Sequence, residues 1–298
     1  MEHAALLQSL DAEEKRHLTE RSDAAGLRHL AAHVAAIALC TIGIIWSVPG
    51  WPLLVFAQGV LLCFLFTLAH ECTHQTPFRT TWINETAGAI SSGLIGMSFT
   101  WFRYFHLAHH RFTNDPERDP ELAGGPRPND WRSLLIYLSG WGYWSGSLKQ
   151  LLVLAFGNPA EEYLPARQIP RMRVEARILL ALYTLGILSL LISPLVFWVW
   201  MLPLALGQPV LRLYLLAEHG QCPPVANMLE NSRTTFTNRL VRAVAWNMPY
   251  HAEHHAYPNV PFHMLPALHR HTRPHLKSTS DGYAEFAQDY ARKLGDTP

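Results

Sequence analysis

The chain has 298 residues, 49% of them hydrophobic, and sets 24 Lys and Arg against 23 Asp and Glu for a formal net charge of +1. That balance gives no basis for a nucleic-acid partner. A mean hydropathy of +0.03 fits neither a plain soluble enzyme nor a chain buried throughout in lipid.

The average hides two different halves. No Asp, Glu, Lys or Arg occurs between Arg28 and Glu71, nor between Arg177 and Arg212, which leaves two charge-free runs, 29–70 and 178–211. Ahead of the first run, residues 1–28 read as a polar amphipathic helix with Leu6, Leu7, Leu10 and Leu18 on a charged background. This segment lacks a short basic region leading at once into an apolar core, so no cleaved signal is expected.

Each charge-free run is too long for one crossing of ~20 residues, and turn residues divide each of them, Pro49-Gly50 and Ser193-Pro194. The expectation is four spans in two hairpins: 29–48 with 51–69, and 178–192 with 195–211. Trp46 and Trp51 stand where interfacial aromatics belong. His29 and His33 are an i, i+4 pair at the start of the first span, read as an interfacial pair rather than as ligands.

The second span leads directly into His70-Glu71-Cys72-Thr73-His74. A small-residue segment over 80–100 reads as a helix near the membrane surface, followed by His106-Leu107-Ala108-His109-His110 and a loop rich in Asn, Asp, Pro and Gly over 114–126. Residues 133–159 are apolar with one charge, Lys149. A fifth crossing there would put the later histidines across the membrane from the earlier ones and would export Arg167, Arg171 and Arg173. With four spans all 24 Lys and Arg lie on one side, so 133–160 is read as an interfacial or re-entrant helix pair.

The fourth span is expected to continue through Arg212 and emerge at His219. His251-Ala252-Glu253-His254-His255 follows, then a tail in which His263, His269, His271 and His275 read as solvated or facing lipid headgroups. Cys40, Cys63, Cys72 and Cys222 form neither a CxxC site nor a disulfide framework and read as free thiols.

Helical spacing brings His106, His109 and His110 to one face, and likewise His251, His254 and His255; His70 and His74 are i, i+4. Two copies of one spacing are far less probable by chance than one. With His219, nine imidazoles can converge on one side, whereas one zinc takes three or four ligands, so nine imply two metals. Neutral imidazole suits iron better than magnesium or calcium, and two irons at membrane depth suggest O₂ activation against an unreactive C–H bond.

The pattern resembles the membrane fatty acid desaturase and hydroxylase superfamily, whose three histidine boxes read HxxxH, HxxHH and HxxHH. Here they stand as His70-x3-His74, His106-x2-His109-His110 and His251-x2-His254-His255, flanked by two hairpins. Thr113-Asn114-Asp115-Pro116, Arg233-Thr234-Thr235-Phe236 and the stretch 247–261 look like a bacterial acyl desaturase-like branch. The resemblance implies an all-α integral membrane fold, four transmembrane helices in two hairpins with a cytosolic helical cap carrying a di-iron site. The whole chain 1–298 then forms one domain: a cytosolic N-terminus 1–28, hairpin one 29–69, the first two boxes 70–132, interfacial helices 133–160, hairpin two 178–216 and box three with a C-terminal cap 217–298.

It further implies two iron ions held by His70, His74, His106, His109, His110, His219, His251, His254 and His255, with O₂ as co-substrate. Removal of two hydrogens from a lipid-like acyl chain, placed by a bent apolar tunnel, gives a double bond; hydroxylation, ketolation or alkene-forming decarboxylation use the same ligand set. The sequence holds no cytochrome b5-like haem segment, so a separate ferredoxin-, rubredoxin- or cytochrome b5-like donor with its reductase is implied, and basic residues such as Arg103, Arg167 and Arg171 either guide it or simply mark the inner face. A bacterial inner membrane, with termini and boxes on the cytosolic side, is the expected location.

One departure stands out. Some members carry an asparagine that holds a metal-bound water four residues before the lone histidine after span four, and here that place is Leu215. Asn247, four residues before His251, is the candidate substitute. The competing reading takes His70-Glu71-Cys72-Thr73-His74 as HExxH of an intramembrane zinc protease, which accounts for two of the nine histidines.

Overall fold

The computed structural model describes residues 1–295, and it is mostly helical. The segment 1–28 is not one helix. Asp11 closes a capping box with Glu14, its carboxylate accepting the Glu14 N–H at 2.8 Å while Glu14 accepts the Asp11 N–H, and this cap separates α1 (His3–Ser9) from α2 (Ala12–Leu18). Ser22 then caps a third helix, α3 (Asp23–Ile45), which runs without a break into the first apolar segment.

After α3 the chain reverses through Ser47 and Gly50, both at positive φ, and Pro52 sits in the first turn of α4 (Trp51–Cys63). A break at Phe64 separates α4 from α5 (Leu65–Thr73). Then come α6 (Thr81–Leu94), α7 (Phe99–Phe112), α8 (Trp131–Leu138), α9 (Trp141–Phe156), α10 (Ile169–Leu188) and α11 (Leu202–His219). Short α12 (Met228–Asn231), α13 (Arg239–Val244), α14 (His251–Ala256) and α15 (Leu265–Thr272) precede the terminal α16 (Tyr283–Gly295).

Four helical stretches are long and apolar enough to cross a membrane: Ala12–Ile45, Trp51–Thr73, Ala166–Leu191 and Phe197–His219. They suit a membrane protein. α8 and α9 are too short to be counted with them, and Gly140 at φ 73° turns one into the other. The helix of the fourth segment does run on to His219 as its sequence suggests.

Backbone approach at two glycines sets the packing of α4 on α11. A Cβ on Gly59 would stand 2.2 Å from the Pro203 carbonyl, and one on Gly207 2.1 Å from the Gly59 carbonyl. Small residues serve this purpose where lipid removes the usual hydrophobic drive between helices. Pro203 has no N–H to give Val199, four residues back, and just before it the helix widens into a π turn over Phe197–Met201. Gln58, 1% exposed, donates its amide to that Val199 carbonyl from α4 and so satisfies a group that proline leaves free.

The all-α expectation misses one small feature. β1 (Thr234–Thr235) pairs in parallel with β2 (Thr279–Ser280), and Thr234 also bridges to Tyr250, which ties the segment ahead of α14 to the C-terminal part of the chain.

Candidate metal centre

Four stretches of helix deliver the histidines. α5 carries His70 with His74 at its C-cap, α7 carries His106, His109 and His110, α11 ends on His219, and α14 begins on His251. Segments far apart in sequence thus meet at one place, and all nine histidines bring their rings there. His70, His74, His106, His110 and His254 form one group in which one ring nitrogen from each lies within 4.8 Å of the others; His109, His219 and His255 form a second. The His110 and His255 rings stack at 4.0 Å with 9° between planes and join the two. His251 falls outside the second group, yet its Nε2 is 2.9 Å from His219 Nε2.

Other close nitrogen pairs are His74 Nε2 to His106 Nε2 at 2.9 Å, His109 Nε2 to His219 Nε2 at 3.1 Å and His110 Nε2 to His254 Nε2 at 3.2 Å. Two imidazole nitrogens bound at right angles to one ion, each about 2.1 Å from it, stand about 3 Å apart. A hydrogen-bonded cluster serves these rings poorly. Both ring nitrogens of His70 and Nε2 of His255 are buried with no hydrogen-bond partner, an arrangement that needs an explanation. A cation at the focus of each group supplies one.

Burial holds His106, His110, His251, His254 and His255 well below the ordinary histidine range, and drives His74 down to about 3 with the Arg103 charge adding to the effect. Each ring is neutral at pH 7 and offers a lone pair, the form a metal requires. His109 goes the other way. Burial pushes its pKa down, but Glu121 and Asp119 outweigh that and leave it above the usual value.

Around this shell lie residues that the histidine spacing does not reveal. Asp119 Oδ1 accepts from His109 Nδ1 at 2.9 Å, and its second oxygen accepts the Asn114 N–H at 2.8 Å. The Asn231 carbonyl is 3.2 Å from His219 Nδ1, and Thr113 Oγ1 is 3.2 Å from His255 Nδ1. Glu218 stands 3.3 Å from His251 Nδ1 and Glu71 3.5 Å from His254 Nδ1, close but not aligned as hydrogen bonds. Partners on Nδ1 fix the ring's orientation and leave Nε2 as the atom free to face a metal. The only sequence signal for Asp119 is an acidic residue in a Pro-rich loop shortly after the second box.

Glu253, inside the third box, points away from the histidines. Its carboxylate accepts from Thr234 Oγ1, from Thr272 Oγ1 at 3.1 Å and from His269 Nδ1 at 2.5 Å. These bonds pin the short α14 to β1 and α15. His269 is consequently tucked against Glu253 and not solvated, a correction to the reading of the tail histidines. Asn247, at φ 58°, donates its side-chain amide to the Phe262 carbonyl at 3.0 Å. The His29 and His33 rings are bonded at the Ala243 and Leu61 carbonyls, and lie outside both histidine groups.

A cavity of ≈ 420 Å³ adjoins the histidines. Phe102 and Phe66 form the shared wall, Phe102 stacking on His106 at 5.7 Å and Phe66 lying 6.2 Å from His70. Leu215 lines the same space, so the place at which some members carry a water-holding asparagine is apolar here.

Residues 45–287 match the fatty acid desaturase family. The chain belongs to that family. Over 287 residues it is 28% identical to the dihydrorhizobitoxine desaturase of Bradyrhizobium elkanii, a match that covers 89% of this chain and 78% of the relative. It is 26% identical over 255 residues to the sphingolipid delta(4)-desaturase/C4-monooxygenase of Mus musculus, covering 81% of this chain and 73% of that one. A shorter match, 34% over 73 residues, links it to the endoplasmic-reticulum omega-6 fatty acid desaturase of Brassica juncea and covers 24% and 19%. This desaturase is thus an oxidoreductase of the fatty acid desaturase type, with apolar helices suited to a membrane, histidine clusters able to hold metal and a lipid-like or acyl substrate implied by its family.

Proposed function

We propose that the chain is an O₂-dependent di-iron desaturase that introduces a double bond into an acyl chain or a similar lipid-like substrate. The observation that carries the reading is the division of buried imidazoles into two adjoining groups, linked through the His110–His255 stack. His70, His74, His106, His110 and His254 would hold one iron; His109, His219 and His255, with His251 beside them, would hold the other. Reduced iron supplies the activation of O₂ needed to break an unreactive C–H bond.

The protein's own part is to position and to exclude. Asp119, Thr113 and the Asn231 carbonyl orient ligand rings, while Phe66, Phe102 and Leu215 offer an apolar wall along which a methylene can lie next to the metals. Three further imidazoles, His106, His110 and His254, converge on His70 and His74, which speaks against an HExxH protease, and Glu71 Oε2 is engaged by Thr76 Oγ1 at 3.0 Å and the Phe262 N–H at 3.0 Å.

The same reading takes 1–298 as one membrane domain, of which 296–298 lie outside the described residues, with hairpins 29–69 and 178–216, interfacial helices 133–160 and a cytosolic cap built from 70–132 and 217–298. The placement of His33 Nε2 on the Leu61 carbonyl and the close approach of Gly59 to Gly207 support adjacent, antiparallel spans. Basic residues absent from both outer turns support a cytosolic face, in a bacterial inner membrane, for the histidines. Electrons would come from a ferredoxin-, rubredoxin- or cytochrome b5-like carrier.

Hydroxylation is the second reading, favoured by the double name of the mouse relative, desaturase and monooxygenase. Lipid and free-acid profiling of a host making this chain, beside one making His109→Ala, tests both. A new double bond that the variant abolishes is the expected result; a new alcohol selects the second reading, and identical profiles from the two hosts reject both.

A further inference from the structure

The cavity beside the histidines is also lined by donors that have nothing to donate to. Arg127 Nη2, Arg212 Nε and Gln150 Nε2 are all buried atoms without a hydrogen-bond partner, and all three residues border the ≈ 420 Å³ space. Arg212 lies with its guanidinium carbon 4.7 Å from the Tyr143 ring centre and 5.8 Å from that of Tyr137.

The cavity's own carboxylates do not neutralise them. Glu121 Oε2 is directed to His109 Nδ1 at 3.7 Å and Glu218 Oε1 to His251 Nδ1 at 3.3 Å, and among the described residues neither forms an ion pair with Arg127 or Arg212. The lining therefore combines two carboxylates directed at histidines with two guanidinium groups that have no ion-pair partner among the described residues. Phe66, Phe102, Phe105 and Leu215 lie along its lining between polar groups.

We propose that Arg127, Arg212 and Gln150 form a carboxylate-binding site, so that the substrate is a chain ending in a free carboxylate and not a thioester or a phospholipid acyl group. The planar guanidinium fork matches the two oxygens of a carboxylate, and the Gln150 amide adds a neutral donor. A singly charged headgroup fits a lining that already holds two glutamates better than a phosphate dianion does. Binding there would lay the hydrocarbon along Phe66, Phe102, Phe105 and Leu215, which line the same space beside the histidine groups. The proposal rests on the desaturase reading for what happens to that hydrocarbon, but the site itself is defined by binding.

Binding is measured on the metal-loaded, detergent-solubilised full chain by calorimetry and thermal shift. The probes are saturated fatty acids of eight to eighteen carbons, their methyl esters and alkyl phosphates of matching length. The acids are expected to bind at least about tenfold more tightly than their esters and phosphates, and Arg127→Gln or Arg212→Gln to erase that preference. Arg212→Lys, which keeps the charge and loses the fork, retains only part of it. Unliganded melting temperatures report whether each variant is folded, and Arg127, in a loop, tests the site without altering a helix. Esters or phosphates binding as well as acids, no acid binding at all, or a preference that survives both glutamine variants overturns the proposal. Acid binding without product in the profiling experiment would reject desaturation and leave the site standing; product from esterified lipid with no acid preference would do the reverse.

Discussion

Asp119 accepts a hydrogen bond from His109 Nδ1 at 2.9 Å, and on the far side of that ring Nε2 comes within 3.1 Å of His219 Nε2. A carboxylate so placed fixes which nitrogen carries the proton and which carries the lone pair. Asp119→Ala is expected to lower iron content or turnover by roughly 10- to 100-fold, while Asp119→Asn, which keeps one acceptor oxygen, loses less. Metal analysis of purified protein alongside product formation checks this, and wild-type values in Asp119→Ala would remove the orienting role.

Gln58 and Pro203 form a compensating pair across α4 and α11. Gln58→Leu strands the Val199 carbonyl in an apolar setting, an expected loss of about 1–3 kcal/mol. Adding Pro203→Ala returns a backbone N–H to the right position and should recover most of that loss. Melting curves of the two single variants and the double variant in detergent decide the matter; strictly additive effects would show that the two residues do not share the carbonyl.

Proton competition sets the behaviour of the metal-free protein. His74, His106, His110, His251, His254 and His255 have folded pKa values below the 6.5 of the exposed side chain, so between those values the unfolded chain binds more protons than the folded one. Stability is complete above pH 6.5 and falls as the pH drops below it, continuing to about pH 3 for His74. His109 has the opposite sign, since its raised value adds stability that is lost as pH rises through it. Melting of chelator-treated protein from pH 8 to 5 should therefore show a steep fall on the acid side. A flat profile would contradict the buried, neutral state of the cluster.

Glu253 holds α14 in place through Thr234, Thr272 and His269. Glu253→Gln leaves one acceptor oxygen for three donors and is expected to destabilise the metal-free protein by about 1–3 kcal/mol, with a smaller effect on the loaded protein, where His251, His254 and His255 would be anchored from the other end. Comparing melting temperatures with and without iron measures the difference.

The sequence alone determined the kind of protein this is. The charge-free runs 29–70 and 178–211 can be satisfied only by helices that bond their own backbone in lipid, and i, i+3, i+4 spacing puts histidines on one helical face whatever surrounds them. Those are local constraints, and they survive without knowledge of contacts. Tertiary structure decided the partners. Asp119 reaches His109 from a loop, Asn231 reaches His219 through its backbone, and Leu61 takes the ring of His33, none of which periodicity can encode. It also decided direction: Glu253 sits in the third box between ligand positions yet faces the opposite way, and Arg127 and Arg212, distant in sequence, come to border one cavity with no carboxylate among the described residues to pair them. Spacing along a helix is set by the backbone's own geometry, whereas the company a side chain keeps depends on which distant segments the packing brings beside it.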